Sequence, residues 1–303
     1  LPPAGDANAG TGFSQCRFHF GALDSTLRSN TALIPQVDMF TSGWIGSAEN
    51  FNLASVCTNT NPGGQLAGLV PALVSYVAAF TARRDAGLQD CNVSTGANLC
   101  NAGATYIRAH LADRIIPQYA KYAQGFAQSC GTTRPMIWMM EPDYYQYSTG
   151  GDPQSLTAQE AGQIMHMLVT TVKQYLPNVL FSMDVSPWIP NNGANWYSNF
   201  TMGDFTFIST SGGGTDADTA RIRSANTMTW AGVHQVTGKP ILADTGYGAS
   251  GRPAGHDPFW DVPANVNARM LDGVISITQY SPNTNWPTTI GQIRPQLSAP
   301  PCN

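Results

Sequence analysis

The chain has 303 residues, 42% of them hydrophobic, enough for a sizeable core and within the range of one barrel domain. Only 11% are charged and the formal net charge is −4, with no run of Lys or Arg, so the phosphate-tracking face of a nucleic-acid binder is excluded. No apolar stretch reaches the roughly 18 residues that cross a bilayer, no membrane partner is expected, and the neutral polar surface suits uncharged glycans.

Residues 1–12 are small, flexible types, expected to lead in extended form to a single domain over 1–303. Short apolar runs then alternate with longer helical patterns. The predicted strands are 16–23, 34–40, 69–80, 135–141, 179–185, 205–210, 240–244 and 274–280. The clearest helical patterns are 104–128, 157–175 and 219–236. Eight strands in this alternation predict an α/β fold, a single (β/α)8 TIM barrel with its active site at the C-terminal strand ends. A doubly wound open sheet is the rival. Its Gly-rich phosphate loop is missing after the first strand, where Gly21-Ala22-Leu23-Asp24-Ser25 stands instead. Gly212-Gly213-Gly214 has no Lys-Ser/Thr pair after it and reads as a loop.

The cysteines are Cys16, Cys57, Cys91, Cys100, Cys130 and Cys302, with no Cys-x-x-Cys pair. An even count in a low-charge chain points to three disulfides and an oxidising compartment; buried free thiols are the alternative. Cys91–Cys100 would close a short polar loop, and Cys16–Cys302 would tie the termini. The sequons Asn92-Val93-Ser94 and Asn199-Phe200-Thr201 agree with a secreted protein, as does a start at Leu1-Pro2-Pro3 without Met. The expected state is a monomer.

Taken strand by strand, the polar residues at the C-terminal ends define the candidate site. Asp38 ends the second strand, Tyr76 lies in the third, and the fourth ends Trp138-Met139-Met140-Glu141-Pro142-Asp143-Tyr144-Tyr145. Asp184 ends the fifth strand with Trp188 just beyond it, Asp244 ends the seventh with Tyr247 just beyond it, and Tyr280 closes the eighth. Glycoside hydrolysis needs two carboxyl groups flanking the scissile bond, and sugar faces stack on aromatic rings. The expected substrate-binding residues are Trp44, Tyr76, Trp138, Asp143, Tyr144, Tyr145, Trp188, Tyr247, Tyr280 and Trp286. Of three glutamates, only Glu141 ends an apolar strand, where partial desolvation would raise its pKa toward that of a general acid. The bland alternative is a buried glutamate paired with Arg134 or Arg108. Asp244 is the first choice of partner, as nucleophile or base, ahead of Asp184 and Asp38; each has helix capping as its alternative.

On these residues the chain resembles the large clan of (β/α)8 glycoside hydrolases with an acid/base on strand four and a nucleophile on strand seven. The resemblance implies acid/base chemistry at Glu141 and nucleophilic chemistry at Asp244. Two positions depart from it: Met140 stands where the clan has Asn before the acid/base, and Asp244 where it has Glu. The shorter aspartate would widen the carboxyl gap and so leaves inversion open beside retention.

Other chemistries find little support. The histidines His19, His110, His166, His234 and His256 are scattered, without metal-ligand spacing, so no metal and no cofactor is expected. Gly246-Tyr247-Gly248-Ala249-Ser250-Gly251 misses the spacing of a serine-hydrolase elbow. The expectation is a secreted glycoside hydrolase, endo-acting on a neutral polysaccharide such as cellulose, β-1,3-glucan or mannan. A barrel that binds carbohydrate without cleaving it, like a lectin, is the alternative. A lyase or transglycosylase on the same scaffold comes third, and a uronate lyase would want a basic cleft.

Overall fold

The computed structural model describes residues 13–14, 16–47, 53–210, 214–246 and 255–298. Parallel strands β1 (His19–Leu23), β2 (Met39–Ile45), β3 (Val70–Ser75), β4 (Met136–Met140), β5 (Val179–Asp184), β6 (Phe207–Ser209), β7 (Ile241–Asp244) and β8 (Val274–Gln279) pair in sequence order and close into a barrel. Around them lie α1 (Asp24–Ser29), α2 (Leu53–Thr60), α3 (Val77–Ala86), α4 (Leu99–His110), α5 (Ile116–Cys130), α6 (Tyr144–Thr149), α7 (Ala158–Lys173), α8 (Ala194–Tyr197), α9 (Trp230–Thr237), α10 (Pro263–Leu271) and α11 (Trp286–Ile293). This is the predicted (β/α)8 barrel.

The core has two layers because alternate strand residues point to opposite faces. Phe13, Met39, Val70, Ala72, Val74, Ile137, Met139, Leu180, Phe207, Leu242 and Ile275 fill the barrel. Their neighbours face the helices. Trp138 is one of these: it is fully buried, with its ring 5.9 Å from that of Phe126 and 6.4 Å from that of Tyr119, both on α5. The expectation that Trp138 stacks on sugar is therefore corrected, since the pleat turns it away from the mouth.

The helix expected over 104–128 is two, α4 and α5, joined by a π-helical turn at Leu111–Ile115, and the first strand starts at His19 rather than at 16. Three further differences bear on the site. The apolar run at 34–40 opens in a 3-10 turn, Thr31–Gln36, containing Pro35, and β2 begins only at Met39. Asp38 accordingly sits at the N-terminal end of β2, on the opposite rim from Glu141. There its carboxylate takes Arg17 (2.7 Å), Arg294 (3.3 Å) and the Phe20 amide (3.1 Å). Burial pushes that carboxyl up, but His19, Arg294 and Phe20 outweigh it and hold it at about 2. Asp38 is a structural ion-pair centre and leaves the set of candidate catalytic carboxylates. Secondly, the strand at 69–80 stops at Ser75, and Tyr76 makes the corner into α3. Thirdly, the helix expected over 219–236 starts only at Trp230, capped by the Thr229 hydroxyl. The residues before it form a loop closed by a bridge between Arg221 and Thr229.

The disulfide Cys91–Cys100 forms as expected, and Cys57–Cys130 ties α2 to the end of α5. Cys302 lies outside the described residues, and with it the expected Cys16–Cys302 pair. Cys57–Cys130 spans 73 residues, so removing it frees a long segment in the unfolded chain. The Cys57→Ala/Cys130→Ala double variant is expected to lose about 2–4 kcal/mol in a denaturant titration.

Candidate active site

The C-terminal rim carries Asp143 just after β4, Asp184 at the end of β5 and Asp244 at the end of β7, and Glu141 lies beneath the surface directly after β4. Glu141 follows β4 directly. Its amide continues the ladder to the Ser75 carbonyl (2.7 Å), but its φ of 43° is one an L-residue rarely adopts. The side chain is buried behind the rim. Oε1 accepts from the Ala78 amide (2.7 Å) and the Tyr119 hydroxyl (2.5 Å), and Oε2 from the Tyr147 hydroxyl (2.5 Å). Ala78 and Ala79 are in the first turn of α3, where free amides favour a carboxylate. Burial raises the Glu141 pKa against these donors.

Glu141 has no exposed surface and offers no open oxygen to a polysaccharide. The alternative salt bridges are absent as well: Arg108 pairs with Glu160 (2.9 Å) and Arg134 donates to Thr60 (2.6 Å). What Glu141 does is join β4, α3, α5 and α6 at one point.

Asp143, two residues on, has the exposure that Glu141 lacks. It is half-buried at the start of α6, with a φ of 61°. Its amide donates to Asp184 Oδ2 (3.1 Å), and its Oδ1 accepts from the Gln146 amide (2.6 Å). Burial raises its pKa; the Gln146 bond opposes this, the Asp90 charge adds to it and the Arg223 charge lowers it. Asp184, at the end of β5, is buried and also takes the Ser186 hydroxyl (3.5 Å), while its carbonyl accepts from Tyr197 (3.2 Å).

Asp244 ends β7 on the other side of the mouth. Oδ2 accepts from the Thr210 hydroxyl (3.0 Å) and Oδ1 from the Gly246 amide (2.6 Å). Burial pushes its pKa up to about 7, against those two bonds and the Arg223 charge. Native Asp244 thus holds a proton that the unfolded chain, with an ordinary carboxyl, gives up several pH units earlier. The resulting stability is complete below about pH 4 and is lost as pH rises through about 7. Asp244→Asn is expected to escape that loss. Its melting temperature, relative to the parent, should climb by a few degrees between pH 4 and pH 8 in a thermal scan.

Aromatic rings border these carboxyls. Trp44, Tyr76 and Phe80 pack edge to face at 5.1–6.3 Å, and Tyr145 meets Trp196 at 5.1 Å. Trp44, Tyr145 and Trp188 keep exposed surface, as stacking platforms require, and Tyr76 is buried against Trp44, Phe80 and Tyr147. Tyr144 is buried with its hydroxyl on the Ala161 carbonyl (3.1 Å), and Tyr280 is buried at the end of β8. Trp286 is buried in α11, with Nε1 donating to Asp261 (3.1 Å), so it packs the core rather than a sugar. Tyr247 lies outside the described residues. Asp90 and Arg223 were not among the expected site residues. The sign for Asp90 was its place beside Cys91, which the short disulfide holds; Arg223 was hidden in the false helix.

No protein-family model matches the chain, and no curated protein sequence matches it. Solved structures do. A GH26 beta-mannanase from Bacteroides ovatus superposes with a TM-score of 0.59 at 11% identity, over 94% of this chain and 90% of that one. A Cellulomonas fimi endo-beta-1,4-mannanase gives 0.57 at 12%, over 90% of this chain but only 66% of that one. An old yellow enzyme homologue from Zymomonas mobilis gives 0.54 at 10%, over 95% and 92%. Mannanases and an old yellow enzyme homologue at comparable scores share an architecture and not a reaction. The likeness therefore establishes that the chain has the closed eight-stranded (β/α)8 fold found in these glycoside hydrolases.

Proposed function

We propose that this chain is a glycoside hydrolase acting at the C-terminal mouth of the barrel on a neutral polysaccharide of the β-mannan or β-glucan type. The observation that carries this reading is the convergence there of three carboxyls in different environments, Asp143, Asp184 and Asp244, bordered by the part-exposed rings of Trp44, Tyr145 and Trp188. Mannanases among the solved structures of like fold favour mannan as the first substrate to try. The two disulfides among the described residues agree with an extracellular setting.

Asp143 is the proton donor in this reading. It is the carboxyl that combines a raised pKa with exposure at the rim, so it can hold a proton and reach a glycosidic oxygen. Asp184 positions it by accepting its amide hydrogen. Asp244, on the facing wall, supplies the second carboxyl, which acts in its ionised form, above about pH 7, on the anomeric carbon either directly or through a water. Glu141 stays behind them as the carboxylate that fixes the backbone on which Asp143 stands.

Incubating the protein with β-1,4-mannan, cellulose and β-1,3-glucan and measuring released reducing ends tests the reading. Release from at least one is expected. Binding without release would favour the carbohydrate-binding barrel, and neither binding nor release would remove the glycan reading.

A further inference from the structure

The loop between β6 and α9 is braced more firmly than a surface connection needs. The Asp216 amide donates to the Ile222 carbonyl (2.8 Å), the Ile222 amide to Met228 (3.1 Å), and the Asp216 carboxylate accepts from the Ser224 amide (2.5 Å). Ile222 is fully buried, and Arg269 of α10 donates to the carbonyls of Ala217 (3.0 Å) and Thr219. The backbone on both sides of Arg223 is therefore fixed.

Arg223 reaches the mouth from this brace. Its guanidinium carbon lies 5.6 Å from the centroid of the Trp188 ring, within cation–π range. Its charge lowers the pKa of both Asp143 and Asp244, and the side chain keeps exposed surface. Its Nε is buried and has no hydrogen-bond partner among the described residues. A buried charged donor without an acceptor costs about 1–3 kcal/mol or more, and folded chains keep few of them. A sugar cannot reach that buried nitrogen, so a ligand at the mouth would meet the exposed part of the guanidinium.

We infer that Arg223 is a substrate-contacting, specificity-determining residue, whose part-exposed guanidinium, held over the Trp188 ring, donates to a hydroxyl of the sugar bound beside it. This rests on the glycan reading of the cleft. The planar guanidinium presents its donors in a fixed fork, held here by the Trp188 ring, and an ammonium in its place would keep the charge but lose that geometry. Arg223→Lys therefore separates a directional donor from a mere positive charge.

The test measures manno- and gluco-oligosaccharide binding by calorimetry to the Asp143→Asn chain, with and without Arg223→Lys, beside melting temperatures and the steady-state kinetics of Arg223→Lys alone. The expected result is a Kd raised about tenfold or more by Arg223→Lys, with Arg223→Ala weaker still. KM should rise while kcat and its pH profile hold, because the charge near Asp143 and Asp244 persists, and the melting temperature should stay put. Unchanged binding in Arg223→Lys would overturn the inference and leave Arg223 as a charge alone. A fall of many degrees in melting temperature would also overturn it, in favour of a structural role. If the parent chain binds and cleaves none of these glycans, the glycan reading itself has failed, and the inference falls with it.

Discussion

Asp143→Asn is expected to lower kcat on polysaccharide by about 100- to 10,000-fold, the range that a positioned general acid contributes. Asparagine preserves the local structure. The backbone amide still donates to Asp184, and the side-chain oxygen still accepts from Gln146. The protein should therefore fold and melt as the parent does, and should still bind oligosaccharide. A proton that can be held at the rim and then given to a leaving oxygen is what the substitution removes. Steady-state assays with circular dichroism on the same preparation check both halves of the expectation.

Glu141→Ala is expected to be the most destabilising single substitution at the site, at about 3–5 kcal/mol in a denaturant titration. The truncation strips acceptors from the first turn of α3 and from two buried hydroxyls, those of Tyr119 and Tyr147, and leaves a void that admits no easy replacement. Glu141→Gln keeps the shape and one acceptor oxygen, while its amide must face a tyrosine hydroxyl that turns to accept. That variant should lose roughly 1–2 kcal/mol and retain activity within about tenfold of the parent. Were Glu141 the acid that touches substrate, the same variant would be folded and nearly inactive. The two residues are two positions apart in sequence, and the paired stability and activity measurements separate them cleanly.

The barrel was legible because buried parallel strands read as near-continuous apolar runs cut by turns. Strands β4, β5, β7 and β8 lie within a residue of their predicted ends. β2 escaped because its apolar lead-in around Pro35 is a turn, while the strand itself carries Thr41, Ser42 and Gly43. That shift alone moved Asp38 from one rim to the other. For Trp138 the difficulty was different. A strand buried on both faces has no polar side to tell inward from outward, so the ring's direction became visible only with the sheet. The position of Glu141 at the end of β4 was also readable, but its direction was not. It depends on a φ of 43° and on an α3 amide and two tyrosines, of which Tyr119 is 22 residues away. Arg223 was masked by a helical pattern that tertiary contacts override: buried Ile222 and the bridge from Arg221 to Thr229 hold the segment as a loop.

The central claim is that the proton reaching the glycosidic oxygen comes from Asp143 and not from Glu141. A leaving group that departs without protonation bypasses a missing acid, so the most direct measurement compares kcat/KM of Asp143→Asn on polysaccharide and on an aryl glycoside of the same sugar with an acidic phenol. A large loss on the polysaccharide and a small loss on the aryl glycoside is the expected result. Equal losses on both, or full activity on the polysaccharide, would contradict the assignment.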